Sequence, residues 1–198
     1  MTQDIKKRIL AETLNKMDRH GPDFHMDDLA RCLRISKQTL YENFSSKQVV
    51  VREAIFSIMD DLYEQHTLLL ADKNMSPEEK LITYFSIRSR VTKVFSMKET
   101  TRFFKKMPGL YELVQERSRR DWKQLEQFVA EAQESNEFEY FDKQLLMHML
   151  HGTAVEIFDQ FDTLDQSYTF PEYMEACIKI VLYGIKKNGG KSTNDKHK

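Results

Sequence analysis

The feature that most constrains this chain is that apolar residues recur at three- and four-residue spacing almost throughout. No stretch alternates apolar and polar residues as a half-buried strand does. From Ile5 to Met17 the stripe is Ile5, Ile9, Leu10, Thr13, Leu14 and Met17, and Gly21-Pro22 closes it with helix breakers. Six glycines and four prolines in 198 residues are too few for the turns of a β-sandwich or the Gly-rich loops of a dinucleotide-binding sheet. The expected fold class is all-α. Lys and Arg total 30 against 31 Asp and Glu, so any attraction to a polyanion has to come from a local patch.

Along the chain the periodicity predicts a short helix from Met26 to Leu33, a break at Arg34-Ile35, and a second short helix at Lys37 to Asn43 capped by Ser36. Ser45-Ser46 then open a long helix to about Leu70, spanning roughly 36 Å. Further helices are expected at 76–95, 97–106, 109–135 with a bend near Ser118, 142–162 and 170–187. Pro108-Gly109, Asn136-Glu137 and Asp165-Gln166-Ser167 are the expected breaks. The polar, glycine-containing end reads as a disordered tail over 189–198. Cys32 and Cys177 are too far apart in the pattern for a disulfide framework or a metal spacing. With no secretion signal and no membrane-length apolar run, a cytoplasmic location is expected.

The segment from Met26 to Phe44 has the dimensions of a helix-turn-helix, whose second helix enters the DNA major groove. Arg34, Lys37 and Lys47 supply charge, and Gln38, Thr39, Tyr41 and Asn43 supply neutral donors and acceptors. Glu42 is the one acid from Arg34 to Lys47. Short polar helices with a few lysines are also common on proteins that never meet DNA. Leu29-Ala30, Ile35-Ser36, Thr39-Leu40-Tyr41, Phe44 and Ser46-Lys47, preceded by Arg8-Ile9-Leu10 and Gly21, resemble the DNA-binding signature of the TetR (tetracycline repressor) family. The resemblance covers about the first 50 residues, and beyond them only helix number and order agree. It implies Thr39, Tyr41 and Lys47 on phosphates, and Lys37 and Gln38 on base edges or nearby backbone. Leu29, Ala30, Leu40 and Phe44 would form the core of the head.

Two positions depart from that pattern. His25 stands where the family has a Ser or Thr cap, and Asp23 or water is expected to substitute. Arg34 stands at the Gly turn, where a left-handed conformation would cost about 1–2 kcal/mol, a trade of stability for a phosphate contact; a rearranged turn is the alternative.

Nothing after Leu70 forms a nucleophile elbow, phosphate loop or metalloprotease motif, so no enzyme activity is expected. His148 and His151, one turn apart and followed by Glu156 and Asp159, have a conceivable metal spacing, but helical His pairs more often line an interior; no metal or cofactor is expected. Glu156, Asp159, Asp162 and Asp165 read as a solvated acidic face. Tyr84, Phe85, Phe95, Phe103, Phe104, Trp122, Phe128 and Phe158 are dense enough to be plain core. The resemblance implies a ligand cavity among these helices, and Tyr84, Phe85, Phe103, Phe104, Trp122, Phe128, His148 and His151 are the expected lining. From 170 to 185 the apolar stripe is wide enough to need burial on more than one side. A monomer with a central helix would satisfy it. The resemblance implies a two-fold dimer through Gly152, Met174, Cys177, Ile178, Val181, Leu182 and Ile185.

The resulting expectation is a helix-turn-helix head over 1–46 and a helical ligand-binding and dimerisation domain over 47–188, joined by the long helix. As a homodimer it would bind a palindromic double-stranded operator, act as a repressor, and be released by a small-molecule effector, with no membrane partner. The alternative keeps the head and makes the C-terminal domain a protein-interaction or architectural module.

Overall fold

A computed structural model describes residues 2–92, 97–107, 109–160 and 168–184. The expectations for Phe95, Pro108, Asp162, the 165–167 break, Ile185 and the tail lie outside the described residues. The helices are α1 (Thr2–His20), α2 (Met26–Leu33), α3 (Lys37–Asn43), α4 (Lys47–Ala71), α5 (Pro77–Ser86), α6 (Met97–Lys106), α7 (Leu110–Glu134), α8 (Lys143–Asp159) and α9 (Phe170–Tyr183). A 3-10 turn at Gly21–Asp23 joins α1 to α2. There Gly21 is buried with φ +56, a left-handed conformation that glycine adopts without a Cβ penalty.

Local chemistry accounts for most ends. Ser36 accepts the Thr39 amide at 2.9 Å, Ser46 the Val49 amide at 3.2 Å and Asp142 the Leu145 amide at 3.1 Å, each satisfying an orphan donor of a first turn. Ser76 and Glu79 form a reciprocal capping box, with Pro77 at the first helical position. α7 runs through Ser118 as one helix and stops at Asn136, φ 57, where the Glu137 amide bonds back to the Ala132 carbonyl at 2.9 Å.

α5 ends nine residues before the expected boundary, at Ser86 rather than 95. The cause is tertiary. Asp61 of α4, 9% exposed, accepts the Arg90 amide at 2.6 Å, the Arg90 Nε at 2.6 Å and the Ser89 hydroxyl at 2.9 Å, which pulls the chain after α5 out of helical conformation. α8 and α9 also end earlier than expected, at Asp159 and Tyr183.

Two apolar cores share α4. The first holds Ile9, Leu14, Met17, Leu29, Ala30, Leu40 and Phe44 of the head with Val50, Val51, Ala54, Ile55 and Ile58 of α4. It also takes in Phe103, Met107 and Leu110, so α6 and the start of α7 pack into the head. The second combines Leu81, Tyr84 and Phe85 of α5, Leu125 and Val129 of α7, Leu146, Leu150, Ala154 and Ile157 of α8, and Met174 and Ile178 of α9, with Leu69 and Leu70 of α4 packed against it. α4 has 25 residues, about 37 Å of rod, and so links the two. No helix among the described residues is long and apolar enough to cross a membrane.

Candidate functional site

The head is built around the corner between α2 and α3. Arg34 sits at φ 54, ψ 44 in the left-handed region. The Arg34 amide bonds to the Arg31 carbonyl at 3.2 Å and the Ile35 amide to the Ala30 carbonyl at 3.1 Å, the paired closure of a Schellman turn. The corner is also held from α1, where Arg8 donates to the Leu33 carbonyl at 3.4 Å. Leu29, Ala30, Leu40 and Phe44 are all buried beneath it. This leaves Arg34, Lys37, Gln38, Tyr41 and Glu42 exposed, with Thr39 and Asn43 half-buried.

Several of these side chains are engaged within the head. Lys37 pairs with Asp27 at 2.5 Å and Gln38 donates to Glu42 at 2.9 Å. Both contacts are exposed, and an exposed ion pair or i,i+4 side-chain hydrogen bond contributes only about 0–1 kcal/mol, so they exchange readily for another partner. Thr39 shares a hydrogen bond with the Ser36 hydroxyl at 2.8 Å, and Asn43 donates to the Thr39 carbonyl at 2.8 Å. These two side chains shape α3 rather than its outer surface.

Lys47 is placed differently from a phosphate ligand. Its ammonium donates to the Pro22 and Phe24 carbonyls at 2.5 Å each and lies 4.5 Å from the Phe24 ring centroid. Burial, with the nearby Lys106 charge, lowers its pKa below the ordinary lysine value, against the pull of Asp23. The same turn is gripped from the other side by α6. Lys106 donates to Asp23 at 2.6 Å and Arg102 at 3.3 Å. The bond and charge of Lys106, joined by Arg102 and Lys47, hold the Asp23 carboxyl below the usual carboxylate range. Asp23 is therefore not the substitute cap of α2. His25 makes no side-chain cap, and Asp27 and Asp28 in the first turn face the positive end of the helix instead.

The expected cavity lining is divided between the cores. Tyr84 and Phe85 are buried in the second core, with Trp122 and Phe128 half-buried against it. Phe103 is fully buried in the first core and lines no ligand space; the stripe on α6 did not distinguish the two cores. Its neighbour Phe104 contacts the Tyr111 ring at 5.2 Å and the Phe158 ring at 6.3 Å. His148 and His151 are exposed on α8, His151 edge-on to Trp122 at 5.2 Å. No group of three potential metal ligands occurs among the described residues. A concavity of about 380 Å³ between α8 and α9 is lined by Gly152, Thr153, Glu156, Ile157 and Tyr173.

Met174 and Ile178 are wholly enclosed within the protomer, so neither presents surface to a second copy. Cys177, Val181 and Leu182 are half-buried, and Gly152 is exposed with open space where a Cβ would stand. The exposed apolar side chains of these two helices are Leu145, Met149, Ile180 and Tyr183, which the wide stripe did not separate from the core positions.

Polar groups between the cores escaped the sequence reading. Asp60 pairs with Arg117 at 2.5 Å and also with Arg120. His66 and Asp121 are joined at 3.0 Å. Their partners lie tens of residues away, where spacing carries no signal.

No protein-family model matches the chain. A transcriptional regulator of the TetR/AcrR family from Thermobifida fusca superposes with a TM-score of 0.69 at 21% identity, over 93% of this chain and all of that one. The chain has the TetR-family fold. The TetR-family fold is shared with FadR from Bacillus subtilis, solved with stearoyl-CoA, at a TM-score of 0.65 and 18% identity, over 90% of this chain and 98% of that one. In sequence, the chain is 22% identical over 181 residues to YvaF, an uncharacterised HTH-type transcriptional regulator of Bacillus subtilis, covering 91% of this chain and 95% of the relative.

Proposed function

We propose that the chain is a DNA-binding transcriptional regulator without enzymatic activity, a homodimeric repressor whose two heads read a palindromic operator. The observation that carries this reading is the left-handed Arg34 turn, which presents the outer face of α3 with Arg34, Lys37, Gln38 and Tyr41 exposed over a buried core. Arg34 and Lys37 are suited to phosphates and Gln38 to a base edge, where a bidentate amide distinguishes adenine. Lys47 acts as a staple of the head, and α4 offers a phosphate the amides of its first turn.

Dimerisation is assigned to the exposed apolar face of α8 and α9, with Leu145, Met149, Ile180 and Tyr183 around the open Gly152. A symmetric pair would bury this face and bring two heads to one duplex. α6 is suited to carry a signal between the cores, because Phe103 is seated in the head while Phe104 meets Tyr111 and Phe158. A small molecule that displaces the surroundings of Phe104 would move the Asp23 clamp. The stearoyl-CoA bound by the Bacillus subtilis FadR makes long-chain acyl thioesters the first effector class to try.

Genomic-fragment selection with the purified protein, followed by mobility shift on the recovered duplexes, tests the core of the proposal. Retention of a palindrome in salt-dependent fashion supports it; uniform binding to scrambled duplex, or none, overturns it. Linkage requires effector and operator to weaken each other by the same factor. Equal affinity of an acyl-CoA for free and operator-bound protein removes that ligand as effector.

A further inference from the structure

The hollow between α8 and α9 has a position and a charge that DNA reading does not use. The two helices pack antiparallel: the Cys177 thiol donates to the Thr153 hydroxyl at 3.7 Å, and Ile157 lines the hollow together with Tyr173. On their shared face Leu145, Met149, Ile180 and Tyr183 stand exposed at one end. Gly152, Thr153, Glu156, Ile157 and Tyr173 surround the hollow of about 380 Å³ at the other. The hollow is the end nearer the head. Phe158 of α8 meets Phe104 of α6, beside Phe103 in the head core, and Phe170 of α9 meets Phe158 at 5.1 Å. α8 starts beyond the far end of α7, whose 25 residues begin in the head core at Leu110, and α9 ends where Tyr183 donates to Glu78 at the start of α5. Both helices therefore run along the direction that leads away from the head.

Two heads reach one duplex only from the same side. The two-fold axis of such a dimer runs from the heads toward the α7–α8 end, roughly along α8 and α9. Rotation about that axis leaves every residue at its own height, so the raised ends of the two copies meet each other and hollow faces hollow. The space roughly doubles, and it holds one Glu156 from each copy.

The chain brings no cation to that space. Glu156 makes no side-chain hydrogen bond or ion pair with any described residue. The sequence has neither Lys nor Arg from Gln144 to Ile178, and Lys179 donates to Glu175 at 2.6 Å. Arg88, set against α9, lies 3.8 Å from Glu172. His148 stands about two turns from Glu156, toward the raised end, and its ring is 2.7 Å from the Gln144 carbonyl; His151 is edge-on to Trp122. Enclosing two carboxylates in an apolar space without a counter-charge is costly, and each raises the cost of the other. The Thr153 hydroxyl is given to the Met149 carbonyl, and the remaining walls are Ile157 and the Tyr173 ring, which packs on the Tyr168 ring at 5.3 Å. A carboxylate beside an aromatic ring and an aliphatic wall attracts an organic ammonium, by charge and by the face of the ring. A bare divalent ion takes about six oxygen ligands and would leave the apolar walls unused.

We propose that the dimer encloses, between its two copies, a binding site for an organic cation, with Glu156 as the counter-charge and Tyr173 and Ile157 as the wall. The site rests on the dimer assigned above and is incomplete in one protomer. Occupation by the cation and association of the copies are linked, so each favours the other.

Sedimentation of the full-length protein without DNA measures the dimer dissociation constant. The probe is benzyltrimethylammonium chloride, and the controls at matched ionic strength are sodium chloride, benzyl alcohol and sodium benzoate. With the probe at about ten times its own dissociation constant, one occupied site should tighten the dimer about tenfold, and the controls should leave it unchanged. Glu156→Gln should dimerise at least as tightly as wild type without the probe and lose the response to it. Tyr173→Leu, which keeps an apolar wall, should still dimerise and bind the probe several-fold more weakly. Equal tightening by sodium chloride or benzyl alcohol, an undiminished response in Glu156→Gln, or a dimer indifferent to the probe overturns the cation site and leaves the dimer standing. A chain that stays monomeric overturns both.

Discussion

Where α4 leaves the head, Lys47 is fixed by two backbone carbonyls and Val50, Val51, Ala54 and Ile55 are buried. Farther along the same helix the contacts are carboxylates and an imidazole: Asp60 with Arg117 and Arg120, Asp61 with Arg90, His66 with Asp121. Carbonyls and methyl groups neither titrate nor respond strongly to salt. Carboxylates titrate, and the exposed pairs of Asp60 with Arg117 and Arg120 also respond to salt. The difference teaches that one rod can be held at its head end by groups indifferent to solution conditions and at its far end by groups that respond to them.

The largest effect should come from removing the α6 side chain seated in the head. Phe103→Ala is expected to cost about 3–5 kcal/mol in denaturant unfolding, with the same loss at low and high salt. A cost below about 1 kcal/mol would show that α6 does not belong to the head's core, and the contrast between the ends would fail. Next, Lys47→Met, which keeps the stem but abandons two carbonyls, should cost about 1–3 kcal/mol and leave the salt slope of DNA binding unchanged. Lys37→Ala should instead leave stability nearly intact and lower that slope by about one unit per half-site. If the two variants exchanged outcomes, Lys47 would belong on a phosphate after all.

Arg34→Gly, at the left-handed corner, should raise stability by about 1 kcal/mol while weakening operator binding through the lost charge. Destabilisation would mean that the guanidinium packs on the head and the strain is not what governs the site. The smallest effect is expected at the far end. Asp60 and Arg117 are 45% and 35% exposed, so Asp60→Asn should cost no more than about 1 kcal/mol and lose even that in concentrated salt. Acid should act on this end as well. Burial raises the Asp61 pKa, but the Arg90 and Ser89 bonds outweigh it and leave the carboxyl below its ordinary value; Asp121 is lowered too. Stability from a depressed carboxylate is present above the unfolded value and is lost as pH falls through the folded one. Hydrogen exchange between pH about 4 and 2 should therefore open α4 near Asp61 before it opens α4 near Val50; the reverse order would contradict the contrast.

How far the sequence could be read follows the same division. The α2–α3 corner and the Ser36 and Ser46 caps were legible, because each depends on groups within five residues of one another, whereas the left-handed Arg34 was one of two turns left open. The early end of α5 was not legible, because Asp61 reaches Arg90 across 29 residues. Nor was the staple role of Lys47, whose acceptors lie 25 and 23 residues back, beyond a helix end.

By itself, then, the sequence determined the order of the helices, most of their ends and the shape of the α2–α3 corner. These rest on hydrogen bonds closing over three to five residues, and the chain's own geometry brings such groups together. Tertiary structure alone decided which apolar residues face which neighbour. The α9 stripe shows that the helix must be buried widely, but Met174 and Ile178 lie inside the protomer and Ile180 and Tyr183 outside it only because of how α9 is rotated against α5 and α8. Only packing could likewise place Phe103 in the head, or bring His66 and Asp121 together across 55 residues. A 3.6-residue period specifies a face, and the partner of that face depends on the register and rotation of helices far away in the chain.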